Sequence, residues 1–181
     1  MAQVFDDRGC ILGEGALWHP EREQLFWFDI LEGKLLSRSG GKPHEWRFEE
    51  MVSAAGWVDR SRLLIASETS LFLFDLDTGA AQEVVPLEAD NMETRSNDGR
   101  ADPFGGFWIG TMGRDAAPQA GAIYRWFDGR SCAASTPASP FPTRSASLPT
   151  AAPPGFAGLR PGRSWPSRSA PTAGPRGRRG C

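Results

Sequence analysis

The sequence predicts an all-β fold, an arc of about three β-propeller blades, followed by a low-complexity tail. Three observations carry this expectation. A pattern of short aromatic and aliphatic strands, broken by Pro, Asp, Gly or Ser turns, occurs three times. Trp18 to Trp57 is 39 residues, and Trp57 to Ala101, the matching slot, is 44, the period of blades with about four strands each. Helical repeats of similar length need a 3.6-residue hydrophobic period, and the chain lacks one. An irregular antiparallel β-sandwich is the competing reading of the same strands.

In the first unit, Leu17-Trp18-His19-Pro20 leads to Gln24-Leu25-Phe26-Trp27-Phe28-Asp29 and then Gly33-Lys34-Leu35-Leu36. In the second, Gly56-Trp57-Val58-Asp59 leads to Arg62-Leu63-Leu64-Ile65-Ala66 and Ser70-Leu71-Phe72-Leu73-Phe74-Asp75. The third runs from Gly99-Arg100-Ala101-Asp102 through Gly105-Gly106-Phe107-Trp108-Ile109-Gly110 to Gly121-Ala122-Ile123-Tyr124-Arg125-Trp126. β-Branched and aromatic residues suit such pleated strands. A single blade cannot bury both faces, so stacking of neighbours supplies the core. Trp18, Trp27, Trp57 and Trp108 are therefore expected in the blade cores, and His19 and His44, in polar contexts, at the surface.

The chain has 181 residues and a net charge of −2, which shows no bias toward nucleic acid. That average joins two different polymers. Residues 130–181 hold eight Arg, ten of the 15 Pro and no Asp or Glu, whereas residues 1–129 hold all 22 acids. The expected division is a partial propeller over 1–129 and a disordered Arg/Pro/Ala/Ser tail over 130–181. An Arg-rich tail suggests nucleic acid, but its two Phe and one Trp are scattered, with no platform for stacking bases. No stretch approaches ~18 apolar residues, so no membrane partner is expected. The N-terminus lacks the basic and apolar regions of a secretory signal, which leaves the cytoplasm as the expected compartment. Cys10, Cys132 and Cys181 are far apart, which argues against a disulfide framework or structural zinc.

Two segments carry a resemblance. Leu12-Gly13-Glu14-Gly15-Ala16-Leu17-Trp18 resembles the opening motif of the gluconolactonase/regucalcin (senescence marker protein) family. Arg95-Ser96-Asn97-Asp98-Gly99-Arg100-Ala101-Asp102-Pro103, with Phe107-Trp108-Ile109-Gly110-Thr111-Met112, resembles its most diagnostic segment. The resemblance covers residues 8–129. It implies a six-bladed propeller with a divalent cation (Ca, Zn, Mg or Mn) on its axis and a small sugar lactone as substrate. A cation polarises a lactone carbonyl, and oxygen ligands suit such ions.

The resemblance makes Glu14 a metal ligand, where an isolated reading gives a solvated turn carboxylate. It makes Arg95 and Asn97 substrate contacts; on an extended segment residues two apart face the same side. Asp98 is read as organising the Asn-Asp-Gly turn. Asp115 falls where some relatives carry a substrate-contacting Glu. The family's catalytic base and remaining ligands come from blades that this chain lacks.

The tail has a further reading. Abundant Arg, Pro, Ala, Ser and Gly without acids is what GC-rich coding DNA yields out of frame. Residues 148–154, read one base earlier, permit Ser-Pro-Asp-Gly-Arg-Thr-Ala, a blade turn. The functions expected are thus a metal-dependent sugar lactonase, truncated and inactive as written; a non-catalytic calcium-binding propeller; or a non-functional frameshift product.

Overall fold

The computed structural model describes residues 1–127 and the backbone of Arg130–Ala134. The described residues form three four-stranded antiparallel sheets and no helix. The first sheet holds β1 (Gly13–His19), β2 (Gln24–Asp29), β3 (Lys34–Ser39) and β4 (Lys42–Arg47). The second holds β5 (Val52–Trp57), β6 (Arg62–Ser67), β7 (Ser70–Asp75) and β8 (Ala81–Pro86). The third holds β9 (Thr94–Ala101), β10 (Phe107–Gly113), β11 (Ile123–Phe127) and β12 (Arg130–Ala134). In each sheet, spatial order follows chain order. That up-and-down arrangement is the blade topology.

The middle sheet shows why the strands read as unbroken apolar runs. Leu63, Ile65, Phe72 and Phe74 face the first sheet and pack with Phe26, Phe28 and Leu35. Leu64, Ala66, Leu71 and Leu73 face the other way and pack with Phe107, Ile109 and Trp126 of the third. Alternate residues of one strand thus enter two different cores. Each fully buried Leu or Phe contributes roughly 1.5–3 kcal/mol of transfer free energy.

Aspartates shape the turns. Asp59 Oδ1 accepts from the Ser61 and Arg62 amides, and Asp75 Oδ1 accepts from the amides of Asp77 and Thr78. Asp102 Oδ1 does the same for Phe104 and Gly106. These Asx turns close hairpins without recruiting outside donors. Gly33, at φ 58°, adds a close approach: a Cβ there would meet the Glu50 carbonyl oxygen at 2.8 Å.

Four side chains depart from expectation. His19 is fully buried, its Nε2 3.0 Å from the Asp59 carbonyl and its Nδ1 accepting from the Arg22 amide. It joins the first sheet to the second and packs against Trp57. Trp18 is 54 % exposed, because its neighbours Leu17 and His19 take the inward side of β1. Trp27 and Trp108 are only half-buried, while Trp57 is buried. His44 is exposed, as expected.

β12 lies beyond the boundary expected at residue 129. It pairs with β11 from Phe127↔Arg130 to Ile123↔Ala134 and supplies the outer strand of the third sheet. Of the tail expected over 130–181, residues 135–181 lie outside the described residues.

Candidate functional site

The inner strands β1, β5 and β9 pack side by side, with their N-terminal ends at one end of the arc. Two contacts fix their spacing. Ser53 Oγ donates to Ser96 Oγ at 2.7 Å, both side chains buried. Gly15, at φ 63°, lies so close to β5 that a Cβ would stand 2.3 Å from the Ser53 carbonyl oxygen. Only glycine satisfies both the conformation and the space.

Each inner strand carries a register shift near this end. In β1 it falls between Glu14 and Leu17, and in β5 between Val52 and Ala54. In β9 it spans Asn97 and Asp98, opposite Gly110. A bulge re-aims the side chains beside it. Glu14, Ser53 and Asn97 occupy the equivalent slot of the three sheets, four residues before Trp18, Trp57 and Ala101. The site is therefore built from one repeated backbone irregularity carrying three different side chains.

Glu14 is exposed at the start of β1. The segment leading into it is pinned by Asp29, whose carboxylate accepts from the Ile11 and Leu12 amides at 2.9 and 3.1 Å. Arg95 is 7 % exposed. Its Nη1 donates to the Ser96 carbonyl at 2.9 Å and to Asn97 Oδ1 at 3.3 Å. Burial, helped by Arg114, pulls the Arg95 guanidinium below its usual range, while the charges of Glu14 and Glu68 push it back up. Glu14 and Arg95 thus lie within electrostatic reach of each other. Arg95 is thus a buried cation with two oxygen acceptors on one side and the charge of a carboxylate acting on it.

Asp98 is exposed and its Oδ1 accepts from the Gly99 amide at 2.9 Å, within the turn. Asp115 is exposed in the turn after β10, at the same end as Arg95. Two charged groups at this end escape sequence reasoning. Glu68, in the β6–β7 turn, and Arg114, just after β10, form an ion pair across two sheets. The available signal is only indirect, since Arg114 follows the Gly110-Thr111-Met112-Gly113 strand directly.

Among the described residues, no three His, Cys, Asp or Glu side chains gather as a metal would require. Glu14 and Asn97 offer one carboxylate and one amide oxygen, too few for a hard cation that takes six or more oxygens. The described residues alone do not make a cation site.

Residues 12–137 match the family model described as SMP-30/Gluconolactonase/LRE-like region. A putative sugar lactone lactonase of Rhizobium meliloti is 38 % identical over 124 residues, covering 67 % of this chain and 42 % of the relative. An L-arabinolactonase of Azospirillum brasilense is 35 % identical over 130 residues, covering 68 % of this chain and 43 % of the relative. The crystal structure of a calcium-binding protein, regucalcin, from Agrobacterium tumefaciens superposes with a TM-score of 0.70 at 39 % identity, over 72 % of this chain and 45 % of that one. The chain thus spans less than half the length of the relatives it matches.

Proposed function

Because the chain belongs to the SMP-30/gluconolactonase/LRE-like family, we propose that it carries part of the active site of a sugar lactone hydrolase. The observation that supports this reading is the placement of Glu14 at the start of β1 and of the bonded pair Arg95 and Asn97 at the start of β9, with the charge of Glu14 acting on Arg95. Arg95 and Asn97 are the substrate-binding wall. The Arg95 guanidinium donates to ring and hydroxyl oxygens, and the Asn97 amide is held in place by its bond to Arg95. Asp115, at the same end, is a third substrate contact. Glu14 is one ligand of a divalent cation (Ca, Zn, Mg or Mn) whose other ligands lie outside the described residues. The substrate is a small-molecule sugar lactone.

A second reading has its own support. The 39 %-identical solved structure is described as a calcium-binding protein, which suggests a propeller that binds calcium without turnover. A third rests on the composition break after residue 129: residues 130–181 are an out-of-frame translation, and the chain as written is inactive. The coding nucleotides between residues 129 and 154 decide that point directly; a blade must appear in another frame.

Assay of the 181-residue chain, and of a chain restored to frame, tests all three against a panel of sugar lactones. We expect hydrolysis in the restored chain, loss with chelator, and a drop of at least about a hundredfold in kcat/KM for Arg95→Ala, the scale of losing one oriented donor. Calcium binding without any lactone turnover favours the second reading. Turnover that survives both chelator and Arg95→Ala overturns the first.

A further inference from the structure

We propose that Arg114 is a positioning residue of the lactone site, holding Glu68 so that Arg95 stays free to face substrate; the kinetic part of this inference rests on the lactonase reading. The geometry begins with β-sheet register. Met112 lies opposite Arg95 and Gly113 opposite Thr94. The Arg114 amide continues the ladder by donating to the Glu93 carbonyl at 2.9 Å. Residues two apart on a strand share a face, and directly opposed residues do too. Arg95, Met112 and Arg114 therefore project from the same face of the third sheet.

Glu68 faces them from the β6–β7 turn of the second sheet. It is anchored there, its backbone amide donating to the Met51 carbonyl at 3.0 Å and its Oε1 accepting from the Met51 amide. Its Oε2 takes Nη2 of Arg114. The same guanidinium donates through Nε to the Met92 carbonyl at 2.9 Å. Arg114 is thus tied at once to the β6–β7 turn and the β8–β9 connection. Arg95, by contrast, donates to a backbone carbonyl and to Asn97 Oδ1.

The charges of both Glu14 and Glu68 act on Arg95, but Glu68 is the carboxylate anchored to Met51 and bound by Arg114, so the two guanidinium groups compete for it. If Arg114 is removed, Glu68 keeps its place through its two bonds to Met51, and Arg95, on which its charge already acts, is the cation left on the facing side. Pairing with Glu68 would draw Arg95 away from Asn97 and from the substrate. Arg114 is needed here less for the strength of its own ion pair, since partly exposed pairs contribute little, than for occupying Glu68.

The test is a double-mutant comparison on the full chain. In chain labelled with 15N-arginine, Arg114→Ala moves the Arg95 Nε–Hε signal, and Arg114→Ala combined with Glu68→Gln returns it toward the wild-type position. In lactone turnover, Arg114→Ala raises KM about tenfold with kcat changed much less, and the added Glu68→Gln recovers most of that loss, as coupled neighbours do. A purely structural role predicts the opposite, a double variant at least as impaired as the single one. An unmoved Arg95 signal in Arg114→Ala, or no return in the double variant, overturns the proposal. If no lactone is turned over by any form, the lactonase reading fails, and the Arg95 signal alone decides the role of Arg114.

Discussion

Gly15 controls the direction of Glu14 more tightly than any side chain does. Its left-handed backbone starts the β1 bulge, and its missing Cβ lets β1 lie against the Ser53 carbonyl. Gly15→Ala should therefore cost at least about 2 kcal/mol, combining a disfavoured left-handed φ with a steric overlap that only strand separation relieves. The denaturant midpoint measures this, and an unchanged midpoint would show that the inner strands can part freely. At this scale the sequence was partly readable. The Gly-Glu-Gly and Arg-Ser-Asn-Asp-Gly segments are legible through the family resemblance; read on their residues alone, each is an ordinary turn. Ser53 did not stand out, although it fills the same slot in the second sheet, because a serine among small residues carries no chemical signature. Arg114 and Glu68 were invisible for another reason: their pairing exists only after two turns from different sheets are brought together.

Strands were legible where they are buried and obscure where they form an edge. β2, β6, β7 and β10 announce themselves as aromatic and aliphatic runs. β4 and β8, with sequences KPHEWR and AQEVVP, are mostly exposed, and each carries a proline that only an outer strand tolerates. β12 hides inside an Arg-rich segment. The hairpins between strands depend on single aspartates, and Asp102 is the most heavily used. Besides its two amide donors, its Oδ2 accepts from Trp108 Nε1 at 3.1 Å and Arg125 Nε at 2.8 Å. The Arg125 guanidinium lies over the Trp108 and Phe127 rings. Burial raises the Asp102 carboxyl, but Arg125 and the Gly106 and Phe104 amides outweigh it and hold the group below its ordinary value of 3.8. Its contribution is therefore present above that value and lost as pH falls through the lower, native one. Asp102→Ala should cost about 2–4 kcal/mol, since it orphans a half-buried guanidinium and two amides. The variant should also lose part of the wild-type acid limb below pH 4 in urea melts followed by tryptophan fluorescence. Equal steepness of that limb in both proteins would assign it to other carboxylates.

The whole arc is held by contacts between sheets, and its three-fold repeat was readable because each blade must offer apolar faces to both neighbours. Position within that repeat does not determine burial, as Trp18 and His19 show by exchanging the roles expected of them. His19 matters at this scale because it bridges the first two sheets through the Asp59 carbonyl and the Trp57 ring. With Nδ1 accepting from the Arg22 amide, Nε2 must carry the proton, so the native ring is neutral. Burial pushes its pKa below the ordinary 6.5; Arg22 adds to this, and the Asp59 carbonyl and Glu21 oppose it without reversing it. The unfolded chain therefore binds a proton below pH 6.5 that the native chain refuses. Stability from this group is complete above pH 6.5 and declines as pH falls toward the native value, by up to about 1.4 kcal/mol per pH unit. The carboxylates held low by their partners, Asp59 and Asp102 among them, act only below about pH 4, the ordinary aspartate range. The window that opens just below pH 6.5, above the aspartate range, thus belongs mainly to His19. His19→Gln, whose amide can still donate to the Asp59 carbonyl, should lower stability at pH 7.5 but flatten the decline across that window. Melting temperatures taken at half-unit steps would show it. A variant that loses stability as steeply as the wild type just below pH 6.5 would mean that the two sheets are not joined through a neutral imidazole.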